Sequence, residues 1–260
     1  MLDVIDHPLK AGGALESGRI RELRLARPPV NALNSELLRK LMEAIGQGAK
    51  ESALVVTGQP GIFSAGLDVR GLLELDRDGV TALFIDVWRA QRVIAHSPVP
   101  VIFGITGHCP AGGTVLAIYG DYRVMALGDF RLGLNEVPVG LLPGPPINGA
   151  FRRLVGGHAA QLLTRGALFD PSTALRFGLV DELCEASQVC ARALEMAREF
   201  CALPREPMLR TRALARQDLL DLFGNPGHAT LKEREFAAIG AELFFVPATQ
   251  ERLRAMFSKR

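Results

Sequence analysis

The stretch ITGHCPAGGTVLAIYGDYRV, Ile105–Val124, contains one full alternation of strand, glycine turn, helix and strand. Pro100 to Thr106 is a compact, β-branched strand, and Gly107-His108-Cys109-Pro110 breaks it. A helix of small residues then begins near Ala111 or Gly112, and a strand returns at Tyr122–Met125. The same alternation extends on both sides. Arg19 to Ala26 alternates polar and apolar residues like a half-buried strand. Ser35, as N-cap, opens a helix to about Lys50 with Leu37, Leu38, Leu41 and Ile45 on one face. Ala53–Val56 is a short strand entering the turn-rich TGQPGIFSAG, Thr57–Gly66, and Asp78–His96 is an amphipathic helix closed by Ser97-Pro98. A further strand is expected near Phe130–Leu132. Strands and helices in alternation predict an α/β layered fold.

From about Pro145 the pattern is almost wholly helical, interrupted by one extended segment, GLVDELC at Gly178–Cys184. After Pro204 three helical segments are separated by Gly224-Asn225-Pro226-Gly227 and by Val246-Pro247. The expected division is a mixed core over 1–200 and a helical region over 201–260. A chain of 260 residues buries roughly 70–75% of the surface its unfolded form exposes, so it folds without a disulfide or metal staple.

Composition narrows the functional classes. Thirty Lys+Arg against 28 Asp+Glu leave a net charge of +2, which speaks against nucleic-acid binding by bulk charge. No apolar run reaches membrane-spanning length, and MLDVIDHPLK lacks the basic-then-apolar pattern of a secretory signal. The four cysteines (Cys109, Cys184, Cys190, Cys201) have neither CxxC spacing nor a histidine set, so they read as reduced thiols packed as small hydrophobes rather than as metal ligands. The expectation is a cytoplasmic protein with no metal, no nucleic acid and no membrane partner.

Two glycine-rich turns hold the chemistry. Gly61-Ile62-Phe63-Ser64-Ala65-Gly66-Leu67-Asp68 follows a strand, and Gly107–Gly113 joins a strand to a helix. Helix N-termini leave backbone N–H groups unpaired and slightly positive. Two such turns face to face would hold a developing oxyanion between two donors. Other glycine motifs fail on spacing: neither turn is a phosphate-binding GxxxxGK[ST], and Ser64 is no nucleophile elbow, because Ile62 stands where that motif needs glycine. Each turn taken singly also fits a loop that needs positive φ.

FSAGLD at Phe63–Asp68, the Ile105–Val124 stretch, GLNEVPVGLLPG at Gly133–Gly144 and ALRFGLVDEL at Ala174–Leu183 together resemble the crotonase (enoyl-CoA hydratase/isomerase) superfamily. The resemblance covers about residues 15 to 200 in order, and within the superfamily CPAGG and GLNE are most similar to the mitochondrial-type Δ3,Δ2-enoyl-CoA isomerases. It implies an α/β spiral of repeated ββα units with a C-terminal helical region that builds homotrimers or dimers of trimers. The implied ligand is a fatty acyl-type thioester, coenzyme A being part of the substrate and no resident cofactor being needed. The two oxyanion donors fall on the backbone N–H groups of Leu67 and Gly112. Ser64, Ala65, Gly66 and Asp68 match the loop that lines the CoA site.

The resemblance also frames the choice of reaction. Hydratases of the superfamily use two glutamates; the first aligns with Val115, which cannot move a proton, and the second with Glu136. One carboxylate suits an isomerase, taking a proton from C2 and returning it at C4 while the oxyanion hole holds the dienolate. Glu136 stands in sequence among Leu134, Val137, Val139 and Leu141, apolar neighbours that would raise its pKa. The alternatives are a hydratase, with Glu74 as a possible second acid though it reads as a solvated helix-end charge, a thioester hydrolase or decarboxylase, and a non-catalytic acyl-CoA binder. His108 forms no triad pattern and reads as a packed or loop histidine, and Trp88 reads as core. Arg205, Arg210, Arg212 and Arg216 read as a solvated face rather than as contacts for CoA phosphates, Arg212 and Arg216 sharing one side of a helix. Pro143-Gly144-Pro145-Pro146 departs from the family pattern and suits a helix start.

Overall fold

The computed structural model describes residues 1–9, 18–224 and 226–258. Its strands are β1 (Leu2–Pro8), β2 (Arg19–Leu25), β3 (Ala53–Thr57), β4 (Gly61–Ile62), β5 (Val101–Ile105), β6 (Gly107–Pro110), β7 (Tyr122–Ala126), β8 (Leu132–Gly133), β9 (Leu168–Phe169) and β10 (Glu182–Cys184). Helices α1 (Ser35–Gly46), α2 (Val69–Leu73), α3 (Arg77–Ala95) and α4 (Gly112–Ala117) lie between the early strands. They are followed by α5 (Pro145–Val155), α6 (Ala159–Arg165), α7 (Pro171–Arg176) and α8 (Val189–Ala202). The C-terminal region holds α9 (Arg205–Ala215), α10 (Gln217–Asp221), α11 (Pro226–Phe244) and α12 (Pro247–Ser258).

Two sheets divide the strands. The larger runs β1-β2-β3-β5-β7-β10, antiparallel only between β1 and β2, and the smaller runs β4-β6-β8-β9. Consecutive strands β3 and β4, β5 and β6, β7 and β8 each send their first member to the large sheet and their second to the small one. Helices follow each pair, which is the ββα repeat expected from the sequence.

Parallel strands in such a sheet are covered on both faces and therefore read as continuous apolar runs. ALVVT in β3 and VIFGI in β5 are buried throughout. Their side chains alternate: Leu54, Val56, Val101 and Phe103 join the main core with α1 and α3. Ala53, Val55 and Ile102 pack on the other face with Val189, Ala193 and Ala197 of α8. A one-residue slip of register would exchange these two sets.

Several local expectations are corrected. Asn34, not Ser35, caps α1, its Oδ1 accepting the Leu37 N–H at 2.9 Å. The α-helix stops at Gly46 and continues as a 3₁₀ turn, Gln47–Lys50. Leu2–Pro8 is a strand that the sequence did not announce, because it is a half-exposed edge strand with few buried positions. The two-residue β9 interrupts the helical second half. Cys109 and Cys201 are buried as expected, but Cys184 and Cys190 are half-buried; all four are free thiols. The prolines do start a helix, with Pro145 at the first position of α5.

The arginine face is also corrected. Arg210 is exposed and pairs with Glu206. Arg212 and Arg216 instead turn inward onto the buried Asp121, each donating to its carboxylate at 2.8 Å. Their remaining donors reach Ser97 O at 2.7 Å and Tyr119 O at 2.7 Å. The cause is non-local: Asp121 ends the turn before β7, a long way along the chain from α9. Within the C-terminal region α11 packs along α3 and α12 touches α2. No helix among the described residues is long and apolar enough to cross a membrane.

Candidate active site

The two glycine turns meet. Val30 and Leu33 hold the first from behind: Ala65 N–H donates to Val30 O at 2.9 Å, Leu33 N–H to Gly66 O at 2.8 Å, and Asp68 N–H to Leu33 O at 2.9 Å. Gly66 adopts φ +90°, and a Cβ placed there would lie 3.2 Å from the Gly112 backbone nitrogen. Glycine is needed on both counts. Ala111, just before α4, is held at φ 47° and ψ −118°, an uncommon conformation for a residue with a Cβ.

Leu67 and Gly112 line one cavity of about 180 Å³. Among the described residues neither backbone N–H donates to an acceptor within the chain. For Gly112 the reason is its place as the first residue of a helix.

The Glu136 loop is tied to the same helix. Ala111 N–H donates to Gly133 O at 2.8 Å, and Gly133 N–H donates to the Thr114 hydroxyl at 2.9 Å. That hydroxyl in turn donates to Cys109 O. Strand β8 is thus fixed against α4, and the chain turns at Glu136 into a 3₁₀ turn, Val137–Val139. Glu136 O accepts the N–H groups of Val139 and Leu141 at 3.1 and 3.0 Å. Its carboxyl lines the cavity with Oε2 buried and unpaired, and burial pushes its pKa up to about 7. Val115 lines the cavity too. Among the described lining residues Glu136 is the single ionisable side chain.

The predicted loop residues divide. Ala65 and Leu67 face both the cavity and an outer groove of about 470 Å³ that also includes Asp68, Arg27 and Arg70. Asp68 caps α2 through Gly71 N–H and accepts from Arg27 at 2.6 Å. Ser64 is fully buried, donating to Asn31 O at 2.8 Å and accepting from Gly66 N–H at 3.2 Å; it shapes the loop from behind. Glu74 is exposed at the end of α2 and does not line the cavity. His108 is exposed and packs edge-on to Phe130, and Trp88 is buried core.

Two contributions went unread in the sequence. Asn135 lines the cavity with a buried, unpaired Oδ1; its place in GLNE was the available signal. Phe236, Leu253 and Met256, from α11 and α12, complete the walls. Nothing local to those helices marks them, because their partners lie in the first half of the chain. No cluster of three or more His, Cys, Asp or Glu among the described residues is arranged to hold a metal.

This is the fold of the crotonases. The crystal structure of human mitochondrial Δ3-Δ2-enoyl-CoA isomerase superposes with a TM-score of 0.85 over 98% of this chain and 97% of that one, at 24% identity. The family model for enoyl-CoA hydratase/isomerase matches residues 16–217, and the chain belongs to that family of enzymes. Human mitochondrial enoyl-CoA delta isomerase 1 is 29% identical over 205 residues, which span 75% of this chain and 67% of that one. The probable enoyl-CoA hydratase echA17 of Mycobacterium avium is 31% identical over 206 residues, 77% of this chain and 79% of the relative.

Proposed function

We propose that the protein is an enoyl-CoA isomerase, shifting the double bond of a 3-enoyl-CoA to the 2-position with Glu136 as the proton shuttle. The observation that carries this reading is the solitary carboxylate among the described lining residues, with Val115 lining the same cavity at the position that matches the hydratases' other acid. Glu136 takes the C2 proton as the C2–H electrons delocalise into the thioester, giving a dienolate. The N–H groups of Leu67 and Gly112 hold the negative oxygen. The same carboxyl then delivers the proton to C4, and the electrons return to form the 2,3 double bond. A base poised near neutral pH suits both halves of the transfer. The CoA portion occupies the outer groove along Ala65 and Asp68, beside Arg27 and Arg70.

Hydration is the second reading, and Asn135 favours it: its unpaired Oδ1 and the Glu136 carboxylate are two buried acceptors able to hold a water. Incubation with 3-hexenoyl-CoA and with 2-hexenoyl-CoA, followed by product identification, separates the two. Isomerase chemistry converts the first without forming a 3-hydroxy product from the second. Glu136→Gln is expected to lower isomerisation roughly 10²–10⁴-fold, and undiminished turnover in that variant rules the mechanism out. A homotrimer or dimer of trimers is the expected assembly. Exposed apolar Leu203 and Leu214 in the C-terminal region support an assembly surface there, and sedimentation tests it.

A further inference from the structure

The walls of the cavity differ in kind. Ala65, Leu67, Val69 and Met256 also border the outer groove, so they mark the mouth. Phe84 of α3 and Phe236 of α11 line only the cavity, and both are almost wholly buried. Their rings meet edge to face at 6.1 Å. Behind them Trp88 packs on Phe236 at 5.5 Å and on Phe223 at 5.4 Å, with Trp88 and Phe223 shut off from solvent. Each ring also rests on a glycine of another element. A Cβ on Gly240 would come within 2.9 Å of the Phe84 ring, and one on Gly144 would collide with Phe236. Phe84 therefore lies against the backbone of α11 at Gly240, and Phe236 against the backbone at Gly144 and the buried ring of Trp88.

We propose that Phe84 and Phe236 are the specificity-determining residues that close the far end of the acyl site and hold the preferred chain to about six carbons. The proposal rests on the acyl-CoA reading given above. The length follows from volume: a cavity of about 150 Å³ accommodates a six-carbon ring, and this one is about 180 Å³. The thioester end and C2–C4 must share that space, because Leu67, Gly112 and Glu136 line the same cavity. Little room remains beyond C6. The helical tail thus has a part in substrate choice, since one of the two rings comes from α11.

Titration with saturated CoA thioesters from butanoyl to dodecanoyl tests this without requiring turnover. Each methylene that finds room is expected to tighten binding about fourfold. In the native chain the tightening is expected to stop near hexanoyl-CoA. In Phe236→Ala and Phe84→Ala it should continue for two or more further carbons. Phe236→Leu and Phe84→Leu, which keep more of the core, should move the break in the same direction if the alanine variants do not fold. A native affinity that keeps rising through dodecanoyl-CoA overturns the proposal alone. So does a break that stays in place in leucine variants with native circular dichroism. Failure of every acyl-CoA to bind overturns it together with the ligand reading on which it rests.

Discussion

Glu136 stands in a largely apolar cavity, and under the proposed mechanism that placement ties activity to stability. The folded-state pKa is about 7 against an ordinary 4.5, because burial disfavours the ionised form. Between those values the folded chain keeps a proton that the unfolded chain has released. Stability at this site therefore falls as pH rises through the window, and the penalty is complete above it. Glu136→Gln is expected to unfold at a higher temperature than the native protein at pH 8, by an amount worth up to about 3 kcal/mol, and at the same temperature at pH 4. Calorimetry at the two pH values checks it. If Glu136 is the base of the proposed isomerisation, catalysis has the opposite sign, since the base must be ionised: kcat/KM should rise about tenfold per pH unit below 7 and level off above. GLNE pointed to Glu136 in the sequence, and its apolar neighbours there suggested the direction of the shift. Two of them, Val139 and Leu141, do line the cavity, but Val115, Ile147 and Phe236 do as much and stand far along the chain.

At the scale of elements the decisive feature is the contact between two turns. Gly66 must lie at positive φ and also leave room for Gly112, so a side chain at position 66 strains the first loop and presses on the nitrogen of the second. If the turns supply the proposed oxyanion donors, Gly66→Ala is expected to lower kcat roughly 10²–10³-fold, the cost of misplacing one such donor. The measurement is steady-state kinetics on folded protein, with the loss falling on kcat more than on KM. The turns themselves were plain in the sequence as glycine-rich breaks after strands. Their meeting was not, since it depends on Val30 and Leu33 holding one loop and on Thr114 tying α4 to β8.

At the scale of the whole molecule Asp121 joins the α/β layers to the C-terminal helices. It accepts from Arg212 and Arg216, both largely buried. Removing the carboxylate leaves two inward-facing cations without a counter-charge, and a broken buried pair costs about 3–5 kcal/mol. Asp121→Ala should lose stability of that order in a denaturant titration. The damage should also reach the cavity wall. Phe223, two residues beyond the end of α10, packs on Trp88, and Trp88 packs on Phe236 of the cavity wall. Trp88 is the sole tryptophan, so its fluorescence is expected to shift in Asp121→Ala at denaturant concentrations where the native signal is unchanged.

Strand and helix alternation and the two glycine turns were legible in the amino-acid sequence, because each is fixed by chemistry within a few residues: apolar period and positive φ. Glu136 was singled out by the resemblance of GLNE to the crotonases, its apolar neighbours adding only the direction of its pKa shift. Arg212 and Arg216, in α9 and at its end, looked like part of a solvated face, since local periodicity cannot register an aspartate some ninety residues earlier. Only the tertiary structure decided that they are buried. It alone brought Phe236, Leu253 and Met256 to the cavity, and it alone set the turns against each other. Contacts of that kind depend on how layers close over one another, and closure joins residues whose separation along the chain leaves no local mark.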